Sequence, residues 1–334
     1  MRILLATDAW PPQVNGVVRT LTELTRELER AGHAVTTIHP GLFRTMACPG
    51  YAEIRLALGA GSRIGAMIED ARADALHIVT EGPVGIAARR WCLRRGLAFT
   101  TAYHTRFPEY LAQRFVAPAC LTYAALRRFH APSRGVMVAT PSVAAALAAK
   151  GFANLRPWTR GVDRALFDPA RRADEMAYPR PIFLSVGRVA PEKNLAAFLA
   201  LDLPGSKLVV GEGPALAELR RRFPAAHFLG RRENGNLAQL YASADVFVFP
   251  SRTDTFGLVM LEALASGLPV AAYPVPGPID VIGASGAGVL DDDLRAAALA
   301  ALAVPRERCR AYALTFDWAT CARQFIEQLC PLHA

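Results

Sequence analysis

Short apolar runs alternate with amphipathic stretches along almost the whole chain, and this alternation restricts the fold more than any other feature. It comes in two series, which a polar, proline-containing stretch at residues 156–172 separates. Apolar runs that alternate with helical patterns are typical of parallel sheets that helices cover on both faces. We therefore expect an α/β protein with two doubly wound domains.

The positions of the individual elements follow from the spacing of the apolar residues. Strands are expected at residues 2–7, 34–39, 75–78, 98–103 and 135–139 in the first series, and at 181–186, 207–210, 227–229, 246–249 and 270–272 in the second. Helices are expected at 17–31, 84–95, 110–116, 119–129 and 142–150, then from residue 194, at 214–222 and at 317–329.

Length and composition are those of a globular protein. The chain has 334 residues, enough for two domains of about 150 residues each. Its apolar runs are shorter than the ~18 residues that a membrane helix needs, and the N-terminal run is too short for a signal peptide. Six cysteines occur without a C-x-x-C pair, which favours buried thiols over disulfides or zinc ligands. These features predict a cytoplasmic protein.

The positive charge is concentrated in the first half. Residues 1–170 contain 21 Lys and Arg against 12 Asp and Glu, whereas the remainder contains 17 of each. Segment 89–95 interleaves four arginines with Trp91 and Leu93, and Arg127 and Arg128 add to it. A basic amphipathic helix of this kind can lie on an anionic membrane surface, and the alternative is an ordinary solvated helix face. No nucleic-acid recognition motif accompanies the charge, so a nucleic-acid partner is not expected.

The stretch 251–267 predicts a ligand site in the second half. Asp254 follows the apolar run 246–249 in a short polar loop, and Glu262 comes eight positions later on a helical pattern. The amides of Phe256, Gly257 and Leu258 would lie at the helix N-terminus, where α/β proteins bind anions. Carboxylates beside such a site are suited to accept hydrogen bonds from sugar hydroxyls. The pattern indicates a sugar–phosphate ligand.

Two further loops of the second half contain candidate ligand residues. Arg188 and Lys193 follow the strand at 181–186 and could clamp a diphosphate, the alternative being two solvated surface charges. Gly211 and Gly213 follow the next strand and hint weakly at a dinucleotide. The strand after that ends in a glycine and two arginines instead of an acidic residue, which disfavours NAD but would tolerate NADP.

In the first half, candidate residues also stand where strands end. Gly16 would let a phosphate approach the backbone without a Cβ in the way. His104 is placed to hydrogen-bond a sugar hydroxyl, and a purely structural histidine is the alternative. Glu81, Tyr103 and Arg106 are predicted to lie beside a second substrate, the acceptor of the sugar. Asp291–Asp293 precedes a helical pattern and is interpreted as a helix cap, not as a metal site.

Several of these segments resemble the retaining glycosyltransferases of family 4, also called group 1, which have two Rossmann-like domains in the GT-B fold. The likeness rests on the acidic-x7-acidic spacing of Asp254 and Glu262 and on segments 8–16, 103–105, 185–194 and 211–214, in family order. The family usually has Glu at position 254 and Gly at position 15, where this chain has Asp and Asn. Within the family, the chain is similar to bacterial GDP-mannose-dependent α-mannosyltransferases and lipid glycosyltransferases.

The resemblance implies two facing domains with a cleft between them. Residues 1–168 would form the acceptor-side domain, with a C-terminal helix at 317–334 packing back on it, and residues 173–316 would bind the donor. The implied catalytic residues are His104, Arg188, Lys193 and Asp254. The implied donor-binding residues are Gly16, Gly211, Gly213, Phe256, Gly257, Leu258 and Glu262.

The resemblance also implies roles for these residues. Arg188 and Lys193 would hold the diphosphate and stabilise its charge, Asp254 would contact sugar hydroxyls and Glu262 the ribose. His104 would hold the donor sugar near the reacting carbon. Retention of configuration would come from front-side attack, in which a donor phosphate oxygen accepts the proton of the acceptor. The two cations would make a metal or other cofactor unnecessary.

The expected function is transfer of a hexosyl group from GDP-mannose or a UDP-hexose to the hydroxyl of a lipid or glycan. The basic first half favours a membrane lipid or glycolipid acceptor and a peripheral position at the inner face of the cell membrane. One alternative is a sugar-nucleotide 2-epimerase with the same fold. Another is a non-catalytic module that binds sugar nucleotides or nucleic acid. The oligomeric state is left open.

Overall fold

The chain folds into two compact units, each built around a parallel sheet. A computed structural model of the protein describes residues 1–48, 51–109, 118–173 and 175–333. Residues Met1–Thr159 and Trp318–Ala334 form the first unit, and Arg160–Asp317 form the second. The α/β class with two doubly wound domains is confirmed. The predicted helix at 110–116 lies outside the described residues.

The sheet of the first unit has six strands among the described residues, and all of them are parallel. Its order is Ala34–Ile38, Arg2–Ala6, Ala75–Ile78, Thr100–Tyr103, Val136–Val138 and Leu155–Pro157. The central strands are apolar on both faces because helices cover both. The helices of this unit are Gly16–Arg30, Ala60–Ala71, Pro83–Arg95, Ala119–His130, Pro141–Ala149 and Trp318–Gln328.

The sheet of the second unit is also parallel, with six strands among the described residues. Its order is His227–Phe228, Ser206–Val210, Ile182–Val186, Val246–Phe249, Val270–Ala272 and Gly288–Leu290. Its helices are Leu195–Leu199, Leu216–Arg222, Asn234–Ser243, Leu258–Ala265, Pro278–Val281, Leu294–Ala301 and Arg306–Ala313.

An antiparallel hairpin of strands Arg44–Cys48 and Tyr51–Leu58 was not predicted, nor was the helix Ala60–Ala71 that follows it. Most residues of the first hairpin strand are exposed or half-buried. Apolar and polar residues are therefore mixed in this region, and the clear apolar runs of the buried sheet are missing. This hairpin lies apart from the central sheet of the unit.

The boundary between the units differs from the predicted boundary at residue 168. The first unit ends at Thr159, after an edge strand inside the stretch predicted to be a linker. Residues 160–168 belong to the second unit because Arg310 holds them there. Its guanidinium donates to the carbonyl oxygen of Arg164 at 3.0 Å and to the carboxylate of Asp168 at 2.8 Å.

The C-terminal helix Trp318–Gln328 belongs to the first unit. It packs against Trp158, whose indole Nε1 donates to the carbonyl oxygen of Cys321 at 3.1 Å. In the described part of the chain, no helix combines the length and the apolar character that crossing a membrane requires.

Candidate active site

The second sheet has a topological switch point beside its strand Ile182–Val186. The chain continues from this strand to one side of the sheet, and later returns to place Val246–Phe249 on the other side. The loops that leave these two strands therefore diverge and form a crevice, which is where open α/β sheets bind ligands. The predicted residues Arg188 and Lys193 follow the first strand, and Asp254 follows the second.

Hydrogen bonds hold these two loops against each other. The side-chain amide of Asn194 donates to the backbone carbonyl oxygen of Pro250 at 3.1 Å. The hydroxyl of Ser251 donates to the backbone carbonyl oxygen of Glu192 at 3.3 Å. Asn194 has a φ of 52°, in the left-handed region that asparagine tolerates better than most residues. The two loops therefore form one rigid edge of the crevice.

Lys193 and Asp254 form an ion pair at this edge. The Lys193 ammonium lies 2.6 Å from Asp254 Oδ1, and the two side chains are 25% and 15% exposed. The other carboxylate oxygen of Asp254 is buried and has no hydrogen-bond partner among the described residues. A buried acceptor without a donor costs free energy, so this oxygen is suited to accept a hydrogen bond from a ligand.

Arg188 lies in the same loop as Lys193. Its guanidinium is 3.9 Å from the carboxylate of Glu192, which is almost fully buried. Glu192 therefore balances part of the charge of Arg188 and limits where its guanidinium can lie. The sequence prediction did not include Glu192, although its spacing of four residues from Arg188 is a signal for such a pair.

The helix Leu258–Ala265 begins at this crevice with a glycine in a conformation that other residues avoid. Gly257 has a φ of 84°, and a Cβ there would lie 2.8 Å from Met260 Cε and 3.1 Å from Phe249 Cζ. The N-cap residue, Gly257, has no side chain with which to cap this helix N-terminus. Its backbone amides and the helix dipole are thus suited to an anion. The side chain of Phe256 is buried, so only its backbone could contact a ligand.

Glu262 lies inside the second unit, on the helix that follows Gly257. The hydroxyl of Tyr241, which is fully buried, donates to Glu262 Oε2 at 3.1 Å. One oxygen of the carboxylate that was predicted to bind a ribose is therefore held by the protein, which fixes the orientation of the group. Sequence reasoning missed Tyr241 because no local pattern links it to a residue 21 positions later.

The glycines Gly211 and Gly213 pack against the Arg188 loop. A Cβ on Gly211 would lie 1.9 Å from the carbonyl oxygen of Gly187, and one on Gly213 would lie 2.4 Å from that of Val189. The amide of Val189 donates to the carbonyl oxygen of Glu212 at 2.8 Å. The absence of a Cβ at these two positions thus lets the Arg188 loop pack closely here, a role that the spacing of the glycines did not predict. The predicted helix start at Pro214 is wrong, since the helix begins at Leu216.

In the first unit, the turn at Gly16 is already capped from within. Asn15 Oδ1 accepts hydrogen bonds from the amides of Val17 and Val18, both at 3.0 Å. The Asn15 side-chain amide donates to the buried Gln13 at 3.2 Å. Asparagine, at the position where the family usually has glycine, therefore already occupies the amides of Val17 and Val18. The approach of a phosphate to the backbone of Gly16 itself stays a prediction.

A similar internal cap lies at the switch point of the first sheet. The carboxylate of Asp8 accepts hydrogen bonds from the amides of Val84 at 2.8 Å and Gly85 at 3.2 Å, and from the Thr80 hydroxyl at 2.9 Å. Burial raises the pKa of Asp8 above its ordinary value. Asp8 therefore serves the helix Pro83–Arg95, whose N-terminus it fills.

His104 is half-buried at the end of the strand Thr100–Tyr103. Its imidazole packs edge-on against the indole of Trp158, with ring centroids 5.6 Å apart and ring planes at 71°. Sequence reasoning missed Trp158, which lies 54 positions later. His104 therefore stands at the strand end where it was predicted, beside an aromatic neighbour that was not.

Of the three residues predicted on the acceptor side, two have internal polar partners and the third is part of the core. The Glu81 side chain is only 7% exposed and lies 3.1 Å from His130 Nε2. Arg106 donates to Glu109 Oε1 through Nε at 3.0 Å and Nη2 at 2.6 Å. Tyr103 is 1% exposed and belongs to the core with Phe152, so the prediction that it contacts an acceptor is corrected. Burial raises the pKa of Tyr103 strongly.

The acidic run at Asp291–Asp293 is a helix cap, as predicted. Asp293 Oδ1 accepts hydrogen bonds from the amides of Arg295 at 2.9 Å and Ala296 at 3.2 Å. Within the described ranges, no cluster of three or more His, Cys, Asp or Glu side chains is arranged to hold a metal ion.

Known families and proteins match nearly the whole chain. The family models Glycosyltransferase Family 4 and Glycosyl transferases group 1 match residues 14–166 and 180–304. A GDP-mannose-dependent alpha-mannosyltransferase of Mycobacterium tuberculosis is 29% identical, over 87% of this chain and 83% of its own. The alpha-monoglucosyldiacylglycerol synthase of Streptococcus pneumoniae is 29% identical, over 83% and 72%. The sulfoquinovosyl transferase of Arabidopsis thaliana is 30% identical over 84% of this chain, which spans 61% of that relative's length.

A solved structure shows the same fold. Sucrose-phosphate synthase from Thermosynechococcus elongatus matches 97% of both chains with a TM-score of 0.79 and 21% identity. This match confirms the predicted GT-B class of fold.

Proposed function

Because the chain belongs to the glycosyltransferases of group 1 and family 4, we propose that it is a retaining hexosyltransferase. It transfers a sugar from a nucleoside diphosphate donor to the hydroxyl of an acceptor. The feature that supports this proposal most is the pair Lys193–Asp254 at the switch point of the second sheet. There a cation, a carboxylate oxygen in need of a donor and a helix N-terminus lie on neighbouring loops, and a sugar diphosphate has the groups that suit all three.

In this proposal, the donor binds to the second unit. Arg188 and Lys193 hold the diphosphate, together with the amides at the start of the helix Leu258–Ala265. The free oxygen of Asp254 accepts a hydrogen bond from a sugar hydroxyl, and Glu262, oriented by Tyr241, accepts one from the ribose. Contacts within the protein orient Lys193, Asp254 and Glu262 before the donor arrives, so these groups need little reorganisation when charge develops on the departing diphosphate.

The chemical step needs no protein nucleophile. The acceptor hydroxyl attacks from the face that the diphosphate leaves, and a donor phosphate oxygen takes its proton, so the configuration at the anomeric carbon is retained. Arg188 and Lys193 stabilise the charge of the leaving diphosphate, which is the largest demand in such a reaction. His104 binds a hydroxyl of the transferred sugar.

We propose GDP-mannose as the donor to be tried first, because a relative that matches 87% of this chain has a GDP-mannose-dependent activity. A UDP-hexose is the alternative. The proposed acceptor is a membrane lipid or glycolipid, which the glycolipid-forming relative from Streptococcus pneumoniae supports.

The exposed cations of the first unit also support a lipid acceptor. Arg90, Arg94 and Arg128 are exposed on the helices Pro83–Arg95 and Ala119–His130. Exposed apolar side chains lie on the same helices, among them Leu93 and, at 67% exposure, Leu121. Cations beside exposed apolar groups suit the interface of an anionic membrane. In this proposal, the protein works at the inner face of the cell membrane.

A transfer assay tests this function. The purified protein is incubated with GDP-mannose or UDP-glucose labelled in the sugar, and with vesicles that contain diacylglycerol and anionic phospholipid. We expect a labelled glycolipid with an α linkage and an equal amount of nucleoside diphosphate, both only when vesicles are present. Conversion of the donor to an epimer without vesicles would indicate the 2-epimerase. Binding of the donor without any product would indicate a binding module.

A further inference from the structure

A row of three aromatic rings runs from the C-terminal helix to His104 inside the first unit. Phe325 lies on the helix Trp318–Gln328 and is fully buried. Its ring centroid is 5.3 Å from that of Trp158, which in turn lies 5.6 Å from the imidazole of His104. Trp158 is fully buried too. It lies directly after the last strand of the sheet, at the point where the chain leaves the first unit.

The C-terminal helix fixes Trp158 by hydrogen bonds as well as by packing. The indole Nε1 of Trp158 donates to the carbonyl oxygen of Cys321 at 3.1 Å. On either side of Trp158, the amide of Thr159 donates to Gln324 Oε1 at 2.9 Å, and the side chain of Gln328 donates to the carbonyl oxygen of Pro157. One helix thus binds three consecutive residues. Its hydrogen bonds to the indole and to the backbone on either side together fix the orientation of the Trp158 ring.

The contact between Trp158 and His104 is of the kind that orients a ring. The planes meet at 71°, an edge-to-face arrangement in which the positive edge of one ring faces the negative face of the other. Rotation of the imidazole about its χ angles would break this contact or drive the ring into a fully buried side chain. Because interiors are closely packed, the indole cannot move aside without moving the helix.

We propose that Trp158 is a positioning residue for His104, and that the C-terminal helix acts on the transfer reaction through it. This inference rests on the proposed function, in which His104 binds the transferred sugar. The position of such a group matters for the reaction rate, because a misplacement of about 1 Å can lower the rate by on the order of 100-fold. The helix would then be part of the catalytic apparatus as well as of the core.

A double-mutant cycle tests the inference. We expect Trp158→Leu to lower kcat by about 10- to 100-fold, with little change in the Kd of the donor, which binds to the second unit. We expect Trp158→Phe to lose less, because phenylalanine keeps an aromatic ring beside the imidazole. In the background of His104→Ala, Trp158→Leu should have almost no further effect. Equal losses with and without His104 would overturn the proposal.

Two measurements separate a positioning role from a general loss of structure. The nitrogen and carbon NMR signals of the His104 ring should shift in Trp158→Phe, and Trp91→Phe, at another aromatic residue of the first unit, should leave them unchanged. If Trp158→Leu does not fold, Phe325→Leu takes its place, since it removes the support of the indole from behind. Unchanged His104 signals in Trp158→Phe would overturn the proposal.

The proposed function and this inference can fail separately. If His104→Ala retains full transferase activity, the role of His104 in the proposed function is wrong, whatever its NMR signals show. If His104→Ala is inactive, but Trp158→Phe leaves both kcat and the NMR signals of the His104 ring unchanged, only the positioning role is wrong.

Discussion

At the scale of single residues, the pair Lys193–Asp254 has a carboxylate one methylene shorter than the glutamate usual in the family. The aspartate reaches the ammonium at 2.6 Å with one oxygen and leaves the other without a partner. A half-buried pair of this kind contributes little net stability, because desolvation offsets much of the attraction. In the proposed function, the pair serves a ligand instead, since the free oxygen of Asp254 accepts a hydrogen bond from the donor sugar.

Asn15 is a residue whose role is purely local, and its replacement should show this. Asn15→Ala removes the acceptor for the amides of Val17 and Val18, which should destabilise the start of the helix Gly16–Arg30 by about 1 kcal/mol. Asn15→Gly should cost only a few tenths of that, since glycine is a tolerated cap. Hydrogen exchange at these two amides measures the effect.

The matched comparison is between the two variants. Faster exchange of both amides in Asn15→Ala, with amides in the middle of the same helix unchanged, is the expected result. If both amides exchange as slowly in the alanine variant as in the wild type, the hydrogen bonds to Asn15 do not stabilise the helix start.

At the scale of elements, the sequence predicts those parts of the fold whose pattern is local. The buried strands Arg2–Ala6, Ile182–Val186 and Val246–Phe249 consist mainly of apolar residues, and the structure has them within one residue of the predicted bounds. The hairpin at residues 44–58 was missed because its half-exposed strands lack that signal. In its first strand, all five residues are exposed or half-buried, so no buried face imposes a regular alternation there.

The candidate site divides in the same way. Arg188, Lys193 and Asp254 could be predicted because each follows a recognisable strand, and two of them prove to be in contact. The residues that position the predicted site residues, among them Glu262 and His104, could not be predicted in this way. Asn194 is hydrogen-bonded to Pro250, 56 positions away, and Tyr241 to Glu262, 21 positions away. Trp158 packs against His104, which lies 54 positions before it. Such contacts arise only once the sheet has formed.

The helix Pro83–Arg95 shows how a structure refines a charge pattern. Four arginines were predicted on one basic surface, yet Arg89 donates to the carbonyl oxygens of Arg128 and Phe129 at 2.8 Å, and so joins two helices. Arg94 and Arg95 both lie over the ring of Trp91, but only Arg95 also has a carboxylate beside it, that of Glu69 at 3.4 Å. The cations best placed to meet a membrane are therefore Arg90, Arg94 and the neighbouring Arg128.

Replacing these three arginines should weaken binding to anionic vesicles. At about 1 kcal/mol for each charge, the variant Arg90→Gln, Arg94→Gln, Arg128→Gln should lose on the order of 100-fold in its partition coefficient. The matched control replaces three exposed arginines of the second unit, Arg221, Arg222 and Arg308, by glutamine. Sedimentation with vesicles that contain phosphatidylglycerol measures both. An equal loss in the two variants would mean that net charge, and not this surface, determines binding.

At the scale of the whole molecule, charge and candidate chemistry are separated between the two units. The first unit contains 20 Lys and Arg against 11 Asp and Glu, and the second contains 18 of each. The excess of cations therefore lies in one unit, whereas the crevice with Lys193 and Asp254 lies in the neutral other. In the proposed function, one unit meets an anionic surface and the other binds a soluble donor, and the charges are divided in the same way.

The central claim is that Lys193 binds the diphosphate of a nucleotide. Calorimetric titration of GDP and GMP into the wild type, Lys193→Met and the surface control Lys150→Met tests it most directly. Loss of one charge-assisted contact, worth about 1.5–3 kcal/mol, should raise the Kd of GDP by roughly 10- to 150-fold in Lys193→Met, and that of GMP much less. Lys150→Met should bind both like the wild type. Equal affinity of the wild type and Lys193→Met for GDP, and likewise for UDP, would contradict the account.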